Sequence, residues 1–526
     1  MLLGRQGEGT QQNLPCRRPH GQWPAKPNEE GKSVVESSIG RRWARSSATS
    51  CRGIGEKGVN QMEGNLNALT TIFTEFYYFV TIVFMFLIHV GFCTYEVGVS
   101  RRRNHLKTLM KNAMAIPIVT VTFFLFGWWI YFAFPNGPGI TGGLIPAPYS
   151  EPWNPLMAAH LSGVNANETG VTPADALIWH RLNGVFWGAF LLFSITTASI
   201  ISGSIIERAR SGAFWVVAVL IGSVLWILDA AWGWHPQGWM VKLWGYHDAY
   251  ASGVVHAIAG GAALAFLIVL GPRIGKFRPD GTPRDIPPHN VWLVTIGLFL
   301  IYTGFWGFYA ACNIPIIGPE TIAGQITGTT WTATNIYLAP TTLSAITFNF
   351  LMSLAGGMMG GYLVSKGDPY WTFSCGLCGI ISASAGNDLY HPIQAMLIGA
   401  IVPVICYKLH YFVERRFKID DAVGAVAVHG YGGFFGVVVA GFMLWGQPSS
   451  PYEGFAHINP LGNFAGAVLM FMLGFIPILI ACKIMDAMGL LRVPTKVELE
   501  GVDFALNHAF MESVREVGTV EKAMIK

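Results

Sequence analysis

The sequence predicts an all-α polytopic membrane protein with eleven transmembrane helices, arranged as two inverted five-helix repeats plus a final helix. Three observations lead to this prediction. The 526 residues are 52% hydrophobic and only 12% charged, whereas soluble domains carry about 25% charged residues. Apolar runs long enough to cross a bilayer, which takes about 20 residues, follow one another from residue 69 onward. An aspartate and a histidine also occur together twice at the same spacing.

The first 61 residues differ from the rest of the chain. They are polar, rich in Arg, Gly, Ser and Pro, and have no apolar core that would form a signal peptide. We expect residues 1–61 to be a disordered basic extension. One hypothesis is that native translation starts at Met62, just before the first apolar run.

Eleven apolar segments are predicted to span the lipid bilayer. Together they define a membrane domain over residues 62–486, and residues 487–526 form a tail of mixed charge. The segments lie near residues 71–98, 111–134, 183–206, 213–234, 249–271, 291–312, 334–364, 371–387, 391–411, 423–445 and 462–485.

The distribution of positive charge predicts the orientation, because cytoplasmic connections carry the excess of Lys and Arg. The connections after the first, third and fifth segments are basic, and those after the seventh and ninth contain Lys366 and the string ERRFK. By contrast, segments 135–178, 313–333 and 447–461 contain neither Lys nor Arg, and segment 235–248 contains only Lys242. We therefore predict that the N-terminus of the bundle lies outside the cell and that the C-terminal tail is cytoplasmic.

The repeated polar pair lies at the heads of the fifth and tenth segments. Asp248 precedes His256 by eight residues in HDAYASGVVHAIAGG, and Asp421 precedes His429 by eight residues in DDAVGAVAVHGYGG. Because these two segments enter from opposite sides, eight residues at 1.5 Å each carry both histidines about 12 Å towards the midplane. We expect the histidines to converge there, at the interface of two inverted repeats, where transporters commonly bind substrate.

Two interpretations remain for each polar residue. A lone buried histidine is usually a neutral imidazole bonded to a carbonyl, but two at matched depth favour a pathway for a small polar solute or a proton, since intramembrane ionisable groups are costly. Asp248 and Asp421 each precede a helix, where a carboxylate can cap free N–H groups. For the aspartates the capping role is favoured.

Other classes of function have little support. The net charge of +4 gives no argument for nucleic acid, and the eight cysteines form neither a disulfide framework nor a zinc pattern. We interpret Cys375 and Cys378, a C-x-x-C pair in an apolar segment, as helix-packing residues, with metal or redox chemistry as the alternative. A metal site on the two histidines would lack further ligands at suitable spacing, so no metal, cofactor or enzymatic activity is predicted.

Several strings resemble successive signatures of the ammonium transporter family, Amt/Mep/Rh, on its Amt side. They are DAYASGVVHAIAGG, AVAVHGYGGFFG, SGSIIERARSGAFW, RRRNHLKTLMKNAMA and GFWGFYAACN, and the resemblance covers residues 70 to 510. It implies a homotrimer in the cell membrane in which each subunit has its own narrow, mostly hydrophobic pore. It also implies uptake of ammonium, with methylammonium as an analogue.

The resemblance assigns roles to individual residues. His256 and His429 match the twin pore histidines, and Phe193 and Phe308 match the paired phenylalanines of a hydrophobic gate. The outer ammonium site, where the ion would be recruited and deprotonated, corresponds to Trp234, Asp248, Cys312 and Phe193, with Trp232 as a rival to Trp234.

Three positions depart from the family pattern. Cys312 stands where a serine often bonds the ion, and Phe190 replaces an amide. Glu96 stands where tyrosine and glycines are common, and we expect it to pair with Arg101, Arg102 or Arg103. These changes bear on the affinity of the outer site and leave the histidine pair intact.

The sequence leaves the mode of action open. If one charge moves per turnover, 100 mV contributes about 2.3 kcal/mol to uptake; if none moves, the protein is a passive ammonia channel. An ammonium sensor or transceptor with little net transport is the alternative. We expect no fused signalling domain after residue 485, so we expect any regulator to be a separate protein, such as one of PII type, on the basic inner connections.

Overall fold

The computed structural model of the protein describes residue 69 and residues 72–135, 173–322 and 325–505. The predicted extension over residues 1–61 lies outside the described residues. So do most of the connection over residues 135–178 and the last part of the predicted tail.

The described part of the chain is built mainly from long helices. Ten of them are long and apolar enough to cross a membrane. They are α1 (Ile72–Val99), α2 (Arg102–Ala133), α3 (Pro173–Ser204, apolar from Gly184), α4 (Ser211–Gly233), α5 (Ser252–Leu270), α6 (Val291–Ala311), α7 (Leu343–Ser365), α9 (Pro392–Phe417), α10 (Val426–Met443) and α11 (Pro460–Ala487).

The eighth predicted span is shorter than the others. It forms helix α8, Pro369–Ser384, which has 16 residues, whereas a helix that crosses the hydrocarbon core needs about 20. Each of the eleven predicted segments thus contains a helix, and ten of these helices meet the length expected of a span. A short helix α12, Thr495–Glu500, follows α11 in the predicted tail.

A three-stranded antiparallel sheet connects α6 to α7, in a connection to which the sequence analysis assigned no secondary structure. Strands β1 (Asn313–Ile322) and β2 (Gln325–Asn335) pair from Asn313 with Asn335, and β3 (Pro340–Thr341) pairs with β2. Their sequences are rich in Thr, Ile and Trp, which suit strands. The predicted all-α fold class therefore omits this sheet, because no secondary structure was assigned to the connection over residues 313–333.

The start of the seventh predicted span changes for the same reason. Helix α7 begins at Leu343 rather than near residue 334, because β2 and β3 occupy the preceding residues. Thr342 marks the boundary, since its side chain accepts a hydrogen bond from the Ala345 amide at 3.1 Å, as an N-cap residue does.

Helices α5 and α10 meet at two glycines that allow direct backbone contact. Gly260 follows His256 by four residues, and a Cβ atom placed on it would collide with the backbone of Gly430. Gly433 follows His429 by four residues, and a Cβ atom there would collide with the Ser252 carbonyl. Each histidine helix therefore packs its own glycine against the backbone next to the other histidine.

An ion-pair network joins the predicted inner connections. The Asp420 carboxylate accepts two hydrogen bonds at 2.9 Å from the guanidinium of Arg273. Glu207 lies 2.6 Å from Arg101 and 3.7 Å from Arg273. Glu96 bonds elsewhere, to Asn112 and Ser202, so the expected ion pair between Glu96 and a neighbouring arginine was wrong because Glu207 takes Arg101.

Candidate functional site

The two predicted pore histidines lie in matching irregular segments at the starts of α5 and α10. Both segments, Ser252–Ala257 and Val426–Tyr431, are π-helical turns that lead into regular α-helix. Such turns are rare and frequently occur at functional sites. They give the two histidines the same local setting.

An aspartate precedes and caps each of these segments. Asp248 accepts hydrogen bonds from the amides of Ser252 and Gly253 at 2.7 Å and of Val254 at 3.0 Å. Asp421 accepts one from the Val426 amide at 2.8 Å. Both carboxylates thus bond to the first N–H groups of a helix, as N-cap residues do.

The structure brings His256 and His429 into direct contact. Their Nδ1 atoms lie 3.0 Å apart, and the rings are 0% and 4% exposed respectively. Nε2 of His256 has no hydrogen-bond partner among the described residues. Each ring bonds to the other ring rather than to a backbone carbonyl, so the pair presents Nε2 of His256 to a further solute.

A column of aromatic rings leads to this pair. Trp234 contacts Phe193 edge-on with ring centroids 4.9 Å apart, and Phe193 contacts Phe308 edge-on at 4.5 Å. Phe308 then stacks on His256 at 5.8 Å. The four residues form one continuous line in which the two predicted gate phenylalanines lie between the tryptophan and the histidine.

Of the two candidate tryptophans, Trp234 is the one in this column. It is fully buried, and its indole N–H donates to the Asp248 carbonyl at 2.7 Å. Trp232 packs instead on Trp239, with ring centroids 5.9 Å apart. The Trp234 hydrogen bond ties the end of α4 to the residue that caps α5.

The Asp248 carboxylate is saturated by protein donors. In addition to the three amides, it accepts a hydrogen bond from the Tyr246 hydroxyl at 3.1 Å. Burial raises the pKa of this carboxyl group, and the amide donors counteract that effect. These contacts favour a positioning role, in which Asp248 fixes the start of α5 and the carbonyl that holds Trp234.

Two departures from the family pattern also lie at the top of the column. Cys312, fully buried after α6, donates its thiol to the Phe308 carbonyl at 3.3 Å. Phe190 packs against Phe193 and Trp234, with ring centroids 6.1 and 6.2 Å away. This end of the column is therefore lined by aromatic rings and a weak sulfur donor.

Sequence reasoning missed a buried polar network beside Asp248. Nε2 of His247 lies 3.1 Å from Asp388, whose other oxygen accepts from Asn335 at 2.7 Å. Nδ1 of His247 contacts the Ser449 hydroxyl at 3.0 Å. The sequence gives no signal for this network, because its members come from four distant segments.

A buried acid in α4 was also missed. Asp229 is 0% exposed, and neither of its carboxylate oxygens has a hydrogen-bond partner among the described residues. An acidic residue within the apolar string WILDAAWG was a visible signal.

The described residues contain no group of three or more His, Cys, Asp or Glu side chains that could hold a metal ion. Cys375 and Cys378 are free and buried in α8. Cys375 lies where a Cβ atom on Gly361 would collide with it, so it packs α8 tightly against α7.

The chain is similar in sequence to proteins of one family. It is 28% identical over 428 residues to ammonium transporter Amt1 of Methanocaldococcus jannaschii, covering 80% of this chain and 92% of the relative. It is 29% identical over 371 residues to an ammonium transporter of Bacillus subtilis, covering 70% of this chain and 79% of the relative.

Solved structures share the fold. A sensor Amt protein superposes with a TM-score of 0.66 at 23% identity, covering 84% of this chain and 99% of that structure. Mep2 of Saccharomyces cerevisiae superposes with a TM-score of 0.59 at 18% identity, covering 80% and 88% respectively. The model of the Ammonium Transporter Family matches residues 75–511. The chain, with its multiple membrane-spanning helices, therefore belongs to the ammonium transporter family.

Proposed function

We propose that this protein takes up ammonium across the cell membrane and conducts it as ammonia past the His256–His429 pair. The observation that carries the proposal is the 3.0 Å contact between the two Nδ1 atoms at the foot of the aromatic column. Aromatic rings can attract the ammonium cation, and the two adjoining imidazoles at the end of the column can hydrogen-bond to the neutral ammonia that deprotonation leaves.

Recruitment would occur at the Trp234 end of the column. Aromatic faces attract ammonium through cation–π interactions, and Trp234, Phe193 and Phe190 supply three such rings. Cys312 is a weak hydrogen-bonding partner. We therefore infer that the rings carry most of the recognition, while Asp248 supports the site by positioning Trp234.

Deprotonation would precede entry into the histidine section. A charge in the middle of a bilayer costs about 2.5–3.5 kcal/mol even on the more lenient scale, and the Phe193–Phe308 contact presents apolar rings to it. Sodium and potassium cannot lose their charge, whereas ammonium can. Ammonia would then hydrogen-bond to Nε2 of His256, and the proton either returns outside or follows along the imidazoles.

The proposal also covers the number of membrane spans, their orientation and the assembly of the subunits. We propose eleven membrane-spanning helices with the N-terminus of the bundle outside and the C-terminus inside, α8 being a short span. Support for inverted repeats comes from the matched caps, π-turns and glycines of α5 and α10. Assembly as a homotrimer in the plasma or inner membrane follows from the family resemblance, as does docking of a PII-type regulator on the inner connections.

Electrophysiology on reconstituted protein tests the proposal. Pulses of ammonium or methylammonium are applied to wild type and to the His256→Ala and His429→Ala variants. A transient current in wild type that the variants lose indicates electrogenic transport, and flux without current indicates an ammonia channel. Tight ammonium binding with neither flux nor current would contradict transport and support the sensor alternative.

A further inference from the structure

A carboxylate faces the pathway on the side of His429 opposite the gate phenylalanines. Glu96, in the last turns of α1, is 1% exposed. Its Oε1 atom accepts hydrogen bonds from Asn112 at 3.0 Å and from the Ser202 hydroxyl. Its Oε2 atom has no hydrogen-bond partner among the described residues. The carboxylate is therefore held through one oxygen and leaves the other available.

Glu96 and His429 line the same cavity. The cavity is small, with a volume of about 20 Å³, enough for about one molecule of the size of water, and its wall is otherwise mainly apolar. Phe92 lies in this wall with its ring centroid 6.4 Å from that of His429. Ser374 also lines the cavity, and its hydroxyl has no hydrogen-bond partner among the described residues. A solute that leaves the histidine pair on the His429 side thus enters a small space with two available oxygen acceptors.

Once Glu96 has given up its proton, its carboxylate has a compensating cation outside this cavity. Lys111 is 3% exposed and donates to the Ser202 carbonyl at 2.5 Å, while the Ser202 hydroxyl donates to Glu96. Buried charges persist in proteins when they are paired and hydrogen-bonded. Lys111 is absent from the cavity lining, so it balances the carboxylate without competing for the available oxygen.

Apart from His429, which bonds to His256 through Nδ1, the groups around Glu96 leave it as the main proton-binding candidate in this cavity. α1 itself contributes Cys93 and Tyr95, and the Tyr95 hydroxyl is engaged with Tyr370 at 3.0 Å. Helices α6 and α8 contribute Leu298, Ile301, Ser374 and Leu377, none of which titrates. Asp421 is bonded to the Val426 amide and lines a neighbouring cavity.

We propose that Glu96 returns a proton to ammonia at the inner end of the pore. This inference rests on the proposed function. Ammonia that has passed His429 takes the proton of the Glu96 carboxyl group, so that an N–H bond forms as an O–H bond breaks. The carboxylate then holds the ammonium ion until water replaces it, and a proton from the inner solution restores the carboxyl group.

The test compares wild type with Glu96→Gln in proteoliposomes loaded at inner pH values from 6 to 8. Glutamine keeps the size and the hydrogen bonds of the side chain but cannot exchange a proton. We expect initial methylammonium uptake to fall about tenfold and to lose its dependence on inner pH. Glu500→Gln, at an exposed side chain that lies 3.9 Å from Lys496, is the matched control and should behave as wild type.

A wild-type rate and inner-pH profile in Glu96→Gln would overturn the inference. The absence of uptake in wild type would instead refute the proposed function, so the two failures are distinct. If Glu96→Gln does not fold, Glu96→Asp replaces it: the shorter carboxyl group should shift the inner-pH profile, and an unchanged profile would overturn the inference.

Discussion

The Nδ1 atoms of His256 and His429 lie 3.0 Å apart, so only one of the two rings carries a proton on Nδ1. In a neutral imidazole one nitrogen donates and the other accepts. The ring that donates through Nδ1–H therefore has its proton-free nitrogen at Nε2, and the other ring has Nε2–H. The two histidines consequently act as one hydrogen-bonded unit with a donor at one end and an acceptor at the other.

Loss of either histidine should abolish the contribution of the His256–His429 pair to ammonium flux. We expect His256→Ala and His429→Ala each to reduce ammonium flux at least about tenfold, and the double variant to lose no more than the worse single one, since residues that act as a unit are non-additive. Initial flux rates in proteoliposomes measure this. Multiplicative losses in the double variant would show that the rings act independently.

The contact between Phe193 and Phe308, with ring centroids 4.5 Å apart, should exclude hydrated cations. Phe308→Ala should cost about 3–5 kcal/mol of stability, as buried Phe→Ala changes do, and should admit potassium. Potassium flux and the thermal midpoint measure both effects. Phe442→Ala, at a side chain that is 61% exposed, is the control and should change stability by less than about 0.5 kcal/mol.

Gly433 should be intolerant of any side chain. Gly433→Ala forces a Cβ atom into the Ser252 carbonyl and within 3.1 Å of the His256 Cβ atom, and overpacking of this kind costs about 1–3 kcal/mol. We expect a lower thermal midpoint and at least about a tenfold loss of flux. Gly212→Ala is the matched control, because a Cβ atom on Gly212 meets nothing within 4 Å; equal effects of the two changes would contradict the close crossing.

The ion pairs of Asp420 should make stability fall in acid. Burial opposes ionisation, but the guanidinium groups of Arg208 and Arg273 outweigh it and hold the pKa of Asp420 well below its usual range. A carboxyl group with a lowered pKa in the folded state stabilises the fold above its unfolded pKa of about 3.9 and loses that contribution as pH falls below it. The thermal midpoint should therefore drop between about pH 5 and pH 3.

Asp420→Asn tests this assignment. It leaves two buried guanidinium groups without their carboxylate, which should cost about 3–5 kcal/mol at neutral pH, and it should flatten the acid dependence. Asp486→Asn, at an exposed residue near the end of α11, should leave both the midpoint and its pH profile unchanged. An acid profile in Asp420→Asn identical to wild type would assign the effect to another group.

The positions of the long helices could be predicted from the sequence, because apolar runs and polar pairs recur along it at regular spacing. Apolar runs of spanning length located the helices, and the eight-residue spacing from Asp248 to His256 and from Asp421 to His429 predicted two matched helix starts. The sheet that begins at Asn313 was missed, because that connection was recognised only by its lack of Lys and Arg.

The side-chain partners were less predictable. The choice between Trp234 and Trp232 depends on which indole faces Asp248 across a turn of irregular backbone. Asp388 is separated by 141 residues from His247, so no local pattern links them. Glu96 was expected to bind a neighbouring arginine. Arg101 instead pairs with Glu207, which follows α3.

The single proton between the two imidazoles gives the pair a direction. A proton that enters at one outer nitrogen and leaves from the other reverses the bond between the rings, so the pair then points the opposite way. A second proton can follow only after the rings have been reset. Proton passage along this pair would therefore alternate between proton transfer and reorientation of the two rings. The rate of reorientation would limit proton transport but not the passage of neutral ammonia.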